Sequence, residues 1–195
     1  MFSIGLTGGI CSGKTQFAAL LEEISGAACF NADKSARKHL EEDPEIIAEI
    51  RKVFGDSIFR SDGKPDRESL RAIIFTNSDK RKVLEALIHP KVWADYEDFK
   101  QRESHKSFSF ADIPLIYETN SQHRVDAVAV VATSPDTQIQ RLIERRGIPR
   151  DEAQKIIASQ LPQSHKLHFA DYLIWNDGSL GALAAQAKIL IKNIF

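Results

Sequence analysis

Gly8-Gly9-Ile10-Cys11-Ser12-Gly13-Lys14-Thr15 completes the pattern G-x-x-x-x-G-K-[ST] near the start of the sequence. Such a segment constrains the fold, because it works only where a strand enters it and a helix leaves it. Both flanks are legible. Phe2-Ser3-Ile4-Gly5-Leu6 reads as a short buried strand, and Phe17, Leu20, Leu21 and Ile24 recur at helical spacing. Glycines let backbone N–H groups converge on phosphate oxygens, and a helix N-terminus adds a favourable dipole. Lys14 reaches the outer phosphates, the Thr15 hydroxyl suits Mg²⁺, and Gln16 follows in the first helical turn. The competing reading is a glycine-rich turn capped by Thr15.

Strand-then-turn patterns return further on. Ala28-Cys29-Phe30 leads to Asn31-Ala32-Asp33, Phe108 to Ile113 leads to Pro114, and the apolar run 127–132 ends at Thr133-Ser134-Pro135. Tyr172-Leu173-Ile174-Trp175 is a shorter candidate. Runs without alternation suit strands buried on both faces of a parallel sheet. Between them, Ile139, Leu142 and Ile143 mark one helix face, with Ser134 as N-cap and Pro135 at its first position. Ala153, Ile156, Ile157 and Leu161 mark another helix, and Leu180, Leu183, Ala187, Leu190, Ile191 and Ile194 mark the last. The alternation predicts an α/β doubly wound sheet with ligands at the carboxyl ends of its strands. From Lys34 to about Lys106 the patterns are helical only, with a turn at Ser61-Asp62-Gly63-Lys64-Pro65, so a helical lobe is expected between the second and third strands.

Composition narrows the partners. A formal net charge of −1 over 195 residues gives no general attraction to nucleic acid or anionic membrane. No apolar run approaches the roughly 18 residues of a membrane span. The N-terminal residues read as the first strand rather than a signal peptide. Two cysteines, Cys11 and Cys29, make a secreted disulfide framework an unlikely design, and a cytoplasmic location is expected.

Several side chains carry chemistry. Asp33 follows the second strand, where a carboxylate can orient an acceptor hydroxyl and take its proton; it can also N-cap the next helix. Arg141 and Arg145 lie four apart on one helix face and can neutralise charge developing on a transferred phosphoryl group, against a reading as a solvated face paired with Glu144 and Asp151. Asp112 at a strand end can hold a water on Mg²⁺ or cap the following turn. His89 before Pro90 can contact an acceptor or close a helix–helix turn. The other histidines show no metal-ligand spacing.

In order along residues 4–178, these motifs together resemble the dephospho-CoA kinase family. The resemblance rests on Ile4-Gly5-Leu6-Thr7-Gly8-Gly9-Ile10-x-Ser12-Gly13-Lys14, on Ala32-Asp33 with Ala36-Arg37, and on Leu87-Ile88-His89-Pro90. It continues through Pro114-Leu115-Ile116-Tyr117-Glu118, Ser134-Pro135 with Gln138, Arg141 and Arg145, and Ala170-Asp171 with Asn176-x-Gly178. It implies a kinase domain over 1–195 of the phosphate-loop kinase type, three-layered around a mostly parallel sheet. Its core would span 1–33, 107–140 and 169–195, its helical acceptor lobe 34–106 and its lid 141–168. The implied reaction moves the ATP γ-phosphoryl group to the 3′-hydroxyl of dephospho-CoA with Mg²⁺, completing coenzyme A. Asp33, Lys14 and Arg141 would be catalytic. The loop 8–15, Gln16, Arg145, Asn176 and Gly178 would hold ATP, the last two beside adenine. Arg37, His89, Pro114 and Leu115 would join Asp33 at the acceptor.

The chain departs from that family's pattern at Cys11 in place of glycine, Asn31 in place of the first acid of Asp-Ala-Asp, Leu167 in place of a basic residue and Trp175 in place of an acid. If the backbone needs φ > 0 at Cys11, its side chain costs of order 1 kcal/mol. Two other readings share the phosphate loop: a nucleoside or nucleotide monophosphate kinase, and an ATP-binding protein with impaired catalysis.

Overall fold

The unbroken apolar run at 127–132 forms strand β4 (Ala127–Ala132), buried along its whole length. The described residues are 1–194 of a computed structural model. The other strands are β1 (Phe2–Gly8), β2 (Cys29–Asn31), β3 (Phe108–Asp112) and β5 (Tyr172–Trp175). They form a five-stranded sheet in the order β2-β3-β1-β4-β5, with every pairing parallel. Strand β1 therefore lies at the centre, and its carboxyl end opens between β3 and β4, the switch point where doubly wound sheets bind ligands.

Both faces of the sheet are covered. Helix α1 (Lys14–Ser25) brings Phe17 and Leu21, and α9 (Leu180–Asn193) brings Leu183, Ala187 and Leu190, against Ile4, Leu6, Phe110, Ala129 and Val131 on one face. On the other face the chain after β3 lies close: a Cβ at Gly5 would meet Ile116 Cδ1 at 2.8 Å and Val125 Cγ2 at 3.2 Å. Three more helices complete this part of the chain, α6 (Pro135–Arg146), α7 (Arg150–Ala158) and α8 (Gln163–His168). Lys166 of α8 is fully buried with its ammonium 2.5 Å from Glu118, a close ion pair not aligned as a hydrogen bond.

The chain divides into two units, Met1–Asn31 with Arg102–Phe195, and Ala32–Gln101. The second contains α2 (Ala32–Glu42), α3 (Pro44–Phe54), α4 (Arg67–Thr76) and most of α5 (Ser78–Arg102). The Asp43 carboxylate accepts from the amides of Glu45 and Ile46 to start α3, and Asp66 does the same for α4 with Glu68 and Ser69. Asp95 of α5 ties back to α2, accepting from Ser35 Oγ at 2.6 Å and lying 3.1 Å from His39 Nε2. Tyr96, fully buried, stacks on Phe99.

The division falls after Asn31 and before Arg102, and α2 begins at Ala32, directly on the end of β2. Four local expectations are corrected. Asp33 consequently sits in the first turn of α2 rather than capping it. Pro90 closes no turn: α5 runs through it for 25 residues. The hydrogen bond that proline cannot donate would have gone to the carbonyl of Ala86, an exposed residue, while Ile88, Val92 and Tyr96 hold the buried side of the helix. Ile143 is exposed rather than inward, and Leu161 lies beyond α7.

Phe17 joins α1 to the sheet and is wholly inaccessible. Phe17→Ala is expected to cost about 3–5 kcal/mol in urea unfolding, the usual range for a buried phenylalanine. A loss under about 1 kcal/mol would contradict the packing described for α1.

Candidate active site

The phosphate loop leaves β1 at Gly8, and the backbone fits tightly there. A Cβ on Gly8 would stand 2.3 Å from the Val131 carbonyl oxygen, so only glycine lets the loop start against β4. Cys11 has φ 58° and Gly13 φ 93°, the left-handed region. Cys11 thus occupies the positive-φ conformation that the sequence made a condition for strain. Gly13 N-caps α1 and, lacking a side chain, makes no cap hydrogen bond. The first-turn amides of α1 are therefore left as donors at the end of the helix where its dipole is positive. Ser12 Oγ is buried without a hydrogen-bond partner among the described residues. Unspent donors and an orphaned hydroxyl in a glycine cradle fit a polyphosphate anion.

Carbonyls of the loop are held on the other side. Arg141 Nη1 donates to Cys11 O at 3.1 Å and Ser12 O at 3.3 Å, while its Nη2 donates to Asn176 O at 2.8 Å. Asn176 Nδ2 donates to Ser12 O at 2.7 Å. Gln138 Nε2 donates to Ile10 O at 2.8 Å, and Ile10 N donates to Gln160 Oε1 at 2.9 Å. Helix α6, the α7–α8 connection and the end of β5 thus converge on residues 10–12.

Lys14 and Asp112 form a nearly buried ion pair at the carboxyl ends of the core strands. Asn31 Nδ2 donates to the second oxygen of Asp112 at 3.2 Å. An asparagine here adds a donor to that carboxylate, whereas an acid would repel it. Burial, then the Asp112 charge, pushes the nearby Cys29 thiol up to about 12. Thr15 and Gln16 are exposed at the head of α1. The Thr15 hydroxyl is a hard oxygen of the kind Mg²⁺ uses singly while keeping several waters. No cluster of three His, Cys, Asp or Glu side chains forms a separate metal site among the described residues.

The remaining candidates are dispersed. Arg145, one turn beyond Arg141, is exposed and makes no ion pair among the described residues. Pro114 O accepts from Thr7 Oγ1 at 2.7 Å, and Leu115 beside it is exposed. Gly178 lies in the exposed turn before α9. In the second unit, Asp33 is exposed in the first turn of α2, Arg37 is exposed with Nε 2.9 Å from Glu41, and His89 is half-buried within α5.

Gln160 and Asp177 were not singled out from sequence. Gln160 lies outside any regular element and gives no periodic signal. Asp177, next to Asn176, takes a hydrogen bond from the Thr133 hydroxyl and a bifurcated one from the Ser134 amide, whose nitrogen lies 3.0 and 3.1 Å from its two oxygens. Partial desolvation raises its pKa, but these hydrogen bonds from Thr133 and Ser134 outweigh it and hold the carboxyl at about 2.

Fold and site together define a phosphate-loop kinase: a parallel sheet with the loop at its central strand, uncapped amides, and a lysine in the cradle. The family model described as dephospho-CoA kinase (CoaE) matches residues 2–182, and the chain belongs to that family. It is 42% identical to the dephospho-CoA kinase of Albidiferax ferrireducens over 195 residues, covering 97% of this chain and 91% of that one. Among solved structures, TT1252 from Thermus thermophilus superposes with TM-score 0.87 at 28% identity, covering 100% of this chain and 98% of that one. Dephospho-CoA kinase from Campylobacter jejuni gives 0.65 at 27% identity, with coverage of 98% and 96%. The protein is an enzyme with dephospho-CoA kinase activity, in coenzyme A biosynthesis, and its family implies ATP as donor and dephospho-CoA as acceptor. No described helix is long and apolar enough to cross a membrane.

Asp177 yields a pH prediction. Its folded pKa lies below the unfolded value of 3.8, so its contribution is present above about 4 and lost as pH falls towards 2. The melting temperature of wild type is expected to fall more steeply across pH 4 to 2 than that of Asp177→Asn. Parallel curves would show that Asp177 is not linked to folding.

Proposed function

We propose that residues 8–15 hold the ATP triphosphate and that Asp33 directs the acceptor hydroxyl onto its γ-phosphorus. The carrying observation is the uncapped amino end of α1 with Lys14 beside it. Lys14 exchanges part of its attraction to Asp112 for the outer phosphates. The Thr15 hydroxyl would hold Mg²⁺, which would supply positive charge to the phosphate oxygens. Gln16 and Gly178 line the ATP site, Gly178 beside the base, and Asn176 closes it.

Asp33 lies two residues past the carboxyl end of a parallel strand, where such folds receive their second substrate. Its carboxylate accepts the 3′-hydroxyl proton as that oxygen bonds to phosphorus, and the bond to the bridging oxygen breaks to leave ADP. Arg141 is anchored by three carbonyls and serves as a fixed charge, whereas Arg145 is free to close on the transferring group. Residues 141–168 form the lid in this reading.

The helical unit receives the rest of the acceptor. It contains a cavity of about 590 Å³ lined by Arg37, Arg60, Arg67 and Arg71, with Glu41, Asp66 and Glu68 among them, above Leu70 and Ile74; the four arginines outnumber the three carboxylates and are the groups that would take a diphosphate on a less polar tail. His89, Pro114 and Leu115 are assigned to the acceptor with Arg37. A cytoplasmic location belongs to the same reading, supported by two free thiols.

Release of ADP that depends on dephospho-CoA, followed in a coupled assay, tests the proposal. Asp33→Asn is expected to lower kcat by about 10²-fold or more, the range of general-base removal, with ATP affinity nearly unchanged. Near-normal turnover would remove Asp33 from the mechanism.

A further inference from the structure

Asn176 is 4% exposed, and both its backbone and its side-chain amide are engaged. Its backbone N–H donates to Ala132 O at 2.8 Å, extending the β4–β5 pairing by one residue. Its carbonyl accepts from Arg141 Nη2 at 2.8 Å. Its side-chain amide donates to Ser12 O. That last bond reaches the phosphate loop across 164 residues of sequence.

The consequence follows from peptide geometry. In a trans peptide the carbonyl and the next N–H point in opposite directions. Holding Ser12 O towards Asn176 and Arg141 therefore turns Gly13 N–H away from them. Gly13 interlocks with the same side chain: a Cβ there would lie 2.0 Å from Asn176 Nδ2. Glycine is required at 13 both for its φ of 93° and because the asparagine amide fills the space a side chain would take.

We infer that Asn176 is a positioning residue for phosphate binding: its side-chain amide fixes the Ser12–Gly13 peptide so that the amide faces the triphosphate. It acts on the phosphates through the loop, not on the base. The inference rests on residues 8–15 being the triphosphate site. Wild type checks that separately, since failure to bind ATP or inorganic tripolyphosphate would refute the site itself.

Asn176→Ala and Asn176→Asp are compared with wild type for ATP kinetics, inhibition by tripolyphosphate, and the kcat/KM ratio of ATP to GTP. Both variants are expected to raise the ATP KM and weaken tripolyphosphate about tenfold or more, as loss of a buried hydrogen bond warrants. Their kcat falls less than KM rises, and the ATP/GTP ratio stays within about twofold of wild type. Asn176→Asp, with the same shape, suffers at least as much as Asn176→Ala because it sets a carboxylate against a carbonyl. A collapsed ATP/GTP ratio with tripolyphosphate unaffected would make Asn176 a base contact and overturn the inference. Unchanged KM in both variants would also overturn it. So would a general loss of all ligands with lowered melting temperatures in both, which would assign Asn176 to holding the fold.

Discussion

The peptides of residues 10–13 have their carbonyls tied down on one side, and the phosphate site depends on that constraint. A glycine loop free in solution samples many conformations, and ordering it on a ligand costs about 1–2 kcal/mol per residue. Here Arg141, Asn176 and Gln138 hold three successive carbonyls, and Gln160 holds the Ile10 amide. The amides left over at the head of α1 are preorganised for an anion before any arrives. Because the ties come from α6, the α7–α8 connection and the end of β5, the sheet order itself supports the loop: β4 and β5 must pair in register for Asn176 to stand behind Ser12.

The Lys14–Asp112 pair extends the same principle to charge. An ammonium nearly withdrawn from water needs a partner, and the end of β3 supplies one through its register with β1. Asn31, at the end of β2, completes the carboxylate's shell. Two parallel strands and the head of α1 therefore bring three side chains together at the carboxyl end of the sheet. In the proposed reading, a phosphate entering the cradle meets a lysine already held in place by this pair.

Much of this was legible in the sequence. The loop pattern with its strand and helix gave the position of the site, and non-alternating apolar runs gave buried parallel strands, β4 to the residue. Periodicity also identified the helical segment between β2 and β3. Elsewhere local signals misled. Pro90 looked like a boundary, but the buried face formed by Ile88, Val92 and Tyr96 outweighed one missing hydrogen bond on the exposed side of the helix. Ile143 fitted the apolar stripe of α6, yet it stays 39% exposed. Of the loop's supports, Gln160 was the least visible, because it acts through one long-range bond to a backbone amide; Asp177, which ties Thr133 and Ser134, was equally silent. No spacing or composition records such bonds. Cys11, a departure from the family pattern, was legible as a strained position, and its φ is positive.

The central claim is that the amides of Gly13, Lys14 and Thr15 are the phosphate donors. The most direct measurement is a ¹H–¹⁵N NMR titration of the full chain with ATP and, separately, with inorganic tripolyphosphate. The account predicts that both ligands shift these three amide protons downfield, with slowed solvent exchange at Gly13. Shifts that spare residues 13–15 while appearing elsewhere in the sheet unit would contradict it.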